Sequence, residues 1–226
     1  MKRSQINQVL QDADTFLRQH GFALPPFAHM TPDALRASDH SHLAARRLGW
    51  DVTDYGSGDF AAMGLVLVTL RNGSLDELAA GQGMVYGEKV LVVREGQLCP
   101  MHRHVSKTED IINRAGGVLV VELFAAAADG ARDMAAPVTV ICDGQALRVP
   151  AGGQVRLAPG ESVTLRPGDW HAFWAEGADC LVGEVSTVND DENDNIFDPV
   201  LPRFSEVEED AAPWRLLVSD YVRLLG

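Results

Sequence analysis

Lysine is scarce in this 226-residue chain: Lys2, Lys89 and Lys107 are the whole set. Lysine and arginine together number 19 against 32 aspartates and glutamates, for a formal charge of −13. Nucleic-acid phosphates need a basic surface, so no nucleic-acid partner is expected, and an anionic membrane surface is disfavoured for the same reason. No apolar stretch approaches the ~18 residues of a membrane span. No apolar run follows Lys2-Arg3, so a secretory signal is not expected. A glycine-rich nucleotide loop is missing. Cysteine is limited to Cys99, Cys142 and Cys180. An odd number at wide spacing reads as reduced thiols in the cytoplasm, not as a disulfide framework. Cys99 is expected to pack.

What is there suits one large domain, or one domain with extensions, and the 46% hydrophobic content is enough for a core. Ser4 to His20 carries Ile6, Val9, Leu10, Ala13, Phe16 and Leu17 at helical spacing, with Ser4 as a cap and Gly21 as a stop. Thr31-Pro32-Asp33 reads as an N-cap with proline at the first helical position. It opens a short helix through Leu35, and a second short helix is expected from His42 to Leu48. From Asp51 the texture changes. Phe60 to Leu70 and Lys89 to Val93 read as strands, with Arg71-Asn72-Gly73 as a turn. Further short apolar runs follow: 118–124, 138–141, 146–149, 155–157, 162–165, 173–174 and 181–185. Glycine-containing turns separate them. Many short strands with regular turn signals indicate an all-β barrel or sandwich. A C-terminal helix is expected from Pro213 to Leu224.

Chemistry concentrates between Gly96 and Gly116. His102 and His104 are two apart, so on a strand they share a face. With Glu109 they make a donor set for a divalent first-row metal. His171, after the turn Pro167-Gly168-Asp169-Trp170, is a fourth candidate. His20, His29, His40 and His42 lie in the helical part. His40 and His42 lack a carboxylate partner at useful spacing, and all four read as surface or capping residues. The run Thr187 to Asn195 is densely acidic. It lacks the central glycine and terminal glutamate of a calcium loop and reads as a solvated or capping loop.

Gly96, His102, His104, Glu109 and Gly116 fit the first motif of the cupin family without a gap. Gly168 and His171 keep the spacing of the second, although Pro167 is one place late and Ala175 stands where that motif has asparagine. The chain therefore resembles the cupins. The resemblance implies an all-β fold: a single jelly-roll barrel over residues 51–226, with a C-terminal lid segment and helix, and a helical extension over residues 1–50 packed on it. A homodimer is expected by the same analogy.

Longer runs are similar to the cupin-type D-lyxose isomerases: Cys-Pro-Met-His-Arg-His-x4-Glu-Asp-Ile-Ile-Asn-Arg-x-Gly-Gly at 99–117, Leu-Arg-Pro-Gly-Asp-Trp-His at 165–171, Glu-Val-Ser-x-Val-Asn-Asp-Asp at 184–191 and Arg-Phe-x-x-Val-Glu-Glu-Asp at 203–210. That similarity implies aldose–ketose isomerisation of a free sugar, D-lyxose to D-xylulose and D-mannose to D-fructose, with Mn2+ preferred. His102, His104, Glu109 and His171 are the expected metal ligands. Lys107, two residues before Glu109, is expected on the metal face, to steady developing charge or carry a proton. Glu206 and Glu208 are the candidates for general base, with Glu208 preferred from the resemblance. Arg203, Asp190 and Trp170 are candidates for substrate contact, and Trp170 reads equally well as core. A sugar phosphate would need Arg94, Arg103, Arg114 or Arg203. A cupin dioxygenase and a non-catalytic sugar-binding cupin are the alternatives, discriminated by oxygen requirement and by turnover.

Overall fold

Leu65-Val-Leu-Val-Thr-Leu is apolar at almost every position because both of its faces are covered. In the computed structural model, which describes residues 1–225, Leu65 and Leu67 point into the barrel core, and Val66, Val68 and Leu70 point outward against the N-terminal helix. The strand Tyr86–Val93 repeats the pattern, with Leu91 and Val93 inside and Val90 and Val92 outside. Successive side chains on a strand alternate faces, so a strand covered on both sides loses the polar alternation of an exposed one.

In chain order the elements are α1 (Arg3–Gln19), α2 (Pro32–Arg36), α3 (Ser41–Arg46), β1 (Gly49–Thr53), β2 (Leu65–Asn72), α4 (Leu75–Ala80), β3 (Tyr86–Val93), β4 (Cys99–His104), β5 (Glu109–Ala126), β6 (Arg132–Asp133), β7 (Val138–Cys142), β8 (Gln145–Val149), β9 (Gly153–Leu157), β10 (Ser162–Leu165), β11 (Trp170–Thr187), β12 (Asn195–Phe197) and α5 (Tyr221–Leu224). All the strand pairings are antiparallel. The long strands β5 and β11 pair with each other along most of their length. β11 also pairs with β3 and, through His171↔His102, with β4. The architecture is all-β, a cupin-type barrel with short helices at its ends. Among the described residues no helix is long and apolar enough to cross a membrane.

The apolar stripe Ile6, Val9, Leu10, Ala13 and Leu17 packs α1 on the outside of β1, β2 and β3. Gly21 ends the helix at φ 72°, while Phe22 N–H donates to Leu17 O at 2.9 Å. The start differs from the sequence reading. Lys2 is the N-cap, and Gln5 reaches back to its N–H. Ser4 is bonded to Asp210 instead. Gly116 holds φ 97°, and a Cβ there would meet Asp179 O at 2.0 Å, so no larger residue fits where β5 passes β11.

Other elements differ: β1 was not foreseen, and the strand expected from Phe60 begins only at Leu65. α4 was not foreseen, although Ser74 and Glu77 form a capping box in the structure. The runs at 173–174 and 181–185 are one strand, β11, interrupted by a register shift between Glu176 and Cys180. The C-terminal helix begins only at Val218, as one 3-10 turn leading into α5. Leu217 is extended and bridges Trp50, which keeps the preceding residues out of the helix. Gly226, the last residue of the unit expected to form the barrel, lies outside the described residues.

Candidate active site and metal centre

On β4, His102 and His104 face the cavity end of the barrel together with Cys99, while Met101 and Arg103 face the Trp170 cluster on the other side. His171, the second residue of β11, sits opposite His102 in the sheet register. His102, His104 and His171 are 8%, 4% and 0% exposed. Their ring centroids are 4.0 to 5.5 Å apart, and one nitrogen from each can be chosen so that all three lie within 4.8 Å of one another. Three imidazoles buried in contact need a common partner. His102 Nδ1 lies 2.8 Å from Pro100 O, and His171 Nδ1 lies 3.0 Å from Asp169 O. Both bonds use the outer ring nitrogen and leave Nε2 as the free donor, the usual orientation of a metal-binding histidine. His171 Nε2 is buried and makes no well-aligned hydrogen bond, its one polar neighbour being the Glu109 carboxylate. The donor set therefore fits a divalent metal.

Glu109, the first residue of β5, brings Oε1 to 3.1 Å from His104 Nε2 and 3.2 Å from His171 Nε2. Its Oε2 takes Lys107 Nζ at 2.6 Å. Burial pushes the Glu109 carboxyl up, but Lys107 and the imidazoles hold it well below the usual range. Burial favours a neutral Lys107, yet Glu109, Glu184 and Asp191 around it raise its pKa. Burial depresses His102 well below the ordinary imidazole value, as a neutral ligand requires.

Lys107 leads to residues that the sequence reading missed. Its Nζ donates to Glu184 Oε1 at 2.9 Å and to Asn189 Oδ1 at 3.3 Å. Lys89 Nζ lies 3.5 Å from the same Glu184 oxygen and donates to Asp191 Oδ1 at 3.0 Å. Lys89 and Glu184 are direct cross-strand partners on β3 and β11. Burial pushes the Asp191 carboxyl up, but Lys89, Arg203 and Lys107 bring it well below normal. Arg203 donates to Asp51 Oδ2 at 2.7 Å and lies 3.8 Å from Asp191. Arg203 Nη1 and Asp51 Oδ1 are buried with no partner. Tyr55, Leu67, Phe173 and Phe197 form the apolar wall. Cys99 packs in that wall against the Tyr55 hydroxyl at 3.3 Å, and burial pushes its thiol up to about 12.

The structure thus brings His102, His104, Glu109, Lys107 and Arg203 together around the cavity, with His171 behind them against His102, His104 and Glu109. It does not bring Glu206, Glu208, Asp190 or Trp170 to them. Glu206 and Glu208 are exposed, because their backbone is tied to the N-terminus: Met1 N donates to Glu206 O at 2.7 Å, and Arg3 N to Glu208 O at 2.8 Å. Asp190 turns outward and accepts from Asn193, leaving its neighbour Asp191 to face the cavity. Trp170 precedes His171 and so faces the other way, into a cluster with Met101 and Phe124, with Nε1 donating to Gly130 O at 3.1 Å. Arg94 pairs with Asp12 and Arg103 with Gly130 O, both away from the cavity. His40 caps Leu35 and Ser38 carbonyls. The acidic loop caps its neighbour: Asp194 accepts from Ser106 and from Lys107 N–H.

A signal for the missed residues was available. Lys89 shares its strand face with the core residues Leu91 and Val93, and Glu184 shares one with Cys180 and Val182. A charge at core parity is costly unless it is paired or used.

A sequence model of the family described as D-lyxose isomerase matches residues 1–221. A D-lyxose/D-mannose isomerase of Serratia proteamaculans is 48% identical over the whole of both chains. One from Escherichia coli O157:H7 is 46% identical over 98% of each. In fold, the chain is similar to the L-ribose isomerase of Cellulomonas parahominis, with a TM-score of 0.59 at 18% identity, covering 92% of this chain and 98% of that one.

Proposed function

The chain belongs to the D-lyxose isomerase family, and from that premise we propose that its buried cavity interconverts a free aldose and its ketose, D-lyxose with D-xylulose and D-mannose with D-fructose. The observation that carries this reading is the Glu184 carboxylate, buried beside Lys107 and next to the three-histidine group. His102, His104, His171 and Glu109 are the residues that would hold a divalent ion, Mn2+ by the family resemblance. When bound, such an ion supplies Lewis-acid polarisation of the sugar carbonyl.

The protein's own residues do the rest. Isomerisation takes a proton from C2 and returns one to C1, while a second proton passes between the two oxygens. Glu184 is the group for the carbon-bound proton: it lines the cavity beside Lys107 and Lys89 and, unlike Glu109, is not a proposed ligand. Lys107 remains charged and, exchanging its 3.3 Å bond to Asn189, donates a hydrogen bond to the sugar oxygen on which negative charge grows. Arg203 Nη1, unpartnered and buried at the cavity, suits a hydroxyl further along an open-chain sugar. A buried polar group left unpaired costs roughly 1–3 kcal/mol, which a hydroxyl would recover. Phe173, Phe197 and Tyr55 exclude water from the reacting carbons.

The compartment proposed is the cytoplasm, supported by three unpaired cysteines, and the assembly proposed is a homodimer, by analogy with other barrels of this class. The test of function is a panel of free aldoses with metal-stripped protein and each divalent ion added back, without oxygen. Ketose from D-lyxose and D-mannose, restored best by Mn2+, is expected. No ketose from any aldose with any ion would refute the reading.

A further inference from the structure

The cavity is small, ≈ 40 Å³, room for about three waters at roughly 10–15 Å³ each. A pentose needs more, so part of the wall must yield for entry. One part is built to do so. Outside Asp191 lies a second cleft of ≈ 280 Å³. Its lining is polar: Thr69, Asn72, Asp76, Asn189, Asp190 and Glu192 take part, and Asp191 borders both spaces. Asn189 and Asp191 form the partition. From inside they are tied to Lys107 and Lys89, at 3.3 and 3.0 Å.

From outside the partition depends on Arg47. This residue ends α3 in the left-handed conformation, φ 52°. Its guanidinium pairs with Glu192. It also lies 5.8 Å from the centre of the Phe204 ring, which Arg203 approaches to 4.8 Å. Glu192 and Phe204 are the chain neighbours of Asp191 and Arg203. One surface arginine thus fastens both segments that carry charged groups into the cavity. The pair is partly solvated, at 32% and 55% side-chain exposure. Exposed ion pairs are weak, so this one can open during turnover, as lids in many enzymes do.

We propose that the cleft is the vestibule through which sugar reaches the cavity, and that Arg47 is a positioning residue that sets its inner wall by holding the Asp191 and Arg203 segments. This rests on the reading of the cavity as the isomerase site. Asp76 stands exposed at the cleft and touches no reacting group. In the holoenzyme, Asp76→Trp should narrow the vestibule, raise KM severalfold and leave kcat unchanged, with D-mannose affected more than D-lyxose. Arg47→Glu should lower kcat/KM by about ten- to a hundredfold, the cost of a small misplacement far from the chemistry, and speed amide exchange across residues 189–204. Arg47→Met should do the same to a lesser degree. Combining Arg47→Glu with Glu192→Arg should restore both kinetics and exchange.

Wild-type KM for both sugars in Asp76→Trp would remove the vestibule. Wild-type exchange in Arg47→Glu and Arg47→Met, or a defect that the double reversal does not relieve, would remove the role of Arg47. A wild-type holoenzyme that converts no aldose would sink the isomerase reading instead. The exchange comparison needs no turnover and would still decide whether Arg47 holds the wall.

Discussion

Two arginines are buried against carboxylates in this protein, at opposite purposes. Arg3 is fully buried and makes four hydrogen bonds of 2.7–2.9 Å, two to Glu209 and two to Asp220. It ties α1 to the C-terminal segment, and its fork is occupied. Arg203 makes one such bond, to Asp51, and leaves Nη1 without a partner. The first network is closed and can do nothing but hold. The second is open at Arg203, which lines the cavity, with unpartnered atoms on neighbouring Asp51 and on His171 of the histidine group. Buried polar groups are almost always satisfied, so a cluster of unsatisfied ones marks where a ligand belongs.

The contrast can be broken most sharply at Glu184. Glu184→Gln should retain its metal and lose about a hundredfold to ten-thousandfold in kcat, the usual cost of a missing general base. Glu206→Gln and Glu208→Gln, on the exposed segment, should stay near wild type. kcat and metal content measured together on all three decide this. Loss at Glu208 with none at Glu184 would mean that the C-terminal segment rearranges in solution.

Next come the two arginines themselves. Arg3→Met leaves the buried Asp220 with only the exposed Arg223 at 3.3 Å and the Leu217 N–H, and should cost about 3 kcal/mol of stability, lowering Tm by about 10 °C without changing KM of the folded enzyme. Arg203→Met also strands a buried carboxylate, Asp51, and so costs stability as well, but it differs in KM. It loses a charged donor to the sugar and raises KM by about ten- to a hundredfold. Thermal melts paired with steady-state kinetics read both. If the two variants changed KM alike, the division between closed and open networks would fail.

The smallest expected effect is in pH. Hydrogen bonding to Arg3 holds the Glu209 carboxyl down, from 4.5 to about 2. A carboxyl lowered in the folded state stabilises it above the unfolded value, and that contribution fades as pH falls from about 4.5 towards 2. Glu209→Gln should therefore show a shallower fall in Tm than wild type across that window. The side chain is a third exposed, so added salt should shrink the difference.

Much of the barrel was legible in advance because its signals are local. Turn glycines and short apolar runs mark strands wherever they fall, and the stripe of α1 needs only 3.6-residue spacing. β11 was read as two runs because Glu176-Gly177-Ala178-Asp179 looks like a boundary. The structure carries the strand through it with a shift of register. That shift also hid Glu184. His171, Phe173 and Ala175 face inward on odd numbers, whereas Cys180, Val182 and Glu184 face inward on even ones. Counting by two from His171 turns Glu184 outward, and only the bulge returns it.

Spacing by itself determined that His102 and His104 share a face, with Glu109 close behind, since alternation along one strand and a four-residue link leave little freedom. It also marked His171 through its turn. Which acids and bases surround those four was decided only by tertiary structure. Lys89, Glu184, Asp191 and Arg203 come from separate segments, and their meeting depends on the pairing of β3 with β11 and on where the C-terminal segment crosses the barrel. Glu206 and Glu208 were carried away from the site by backbone bonds to the first residues of the chain, an attachment across more than two hundred residues. Side-chain direction is a local property, but the choice of neighbour at that distance depends on register and crossing, which the packed fold sets as a whole.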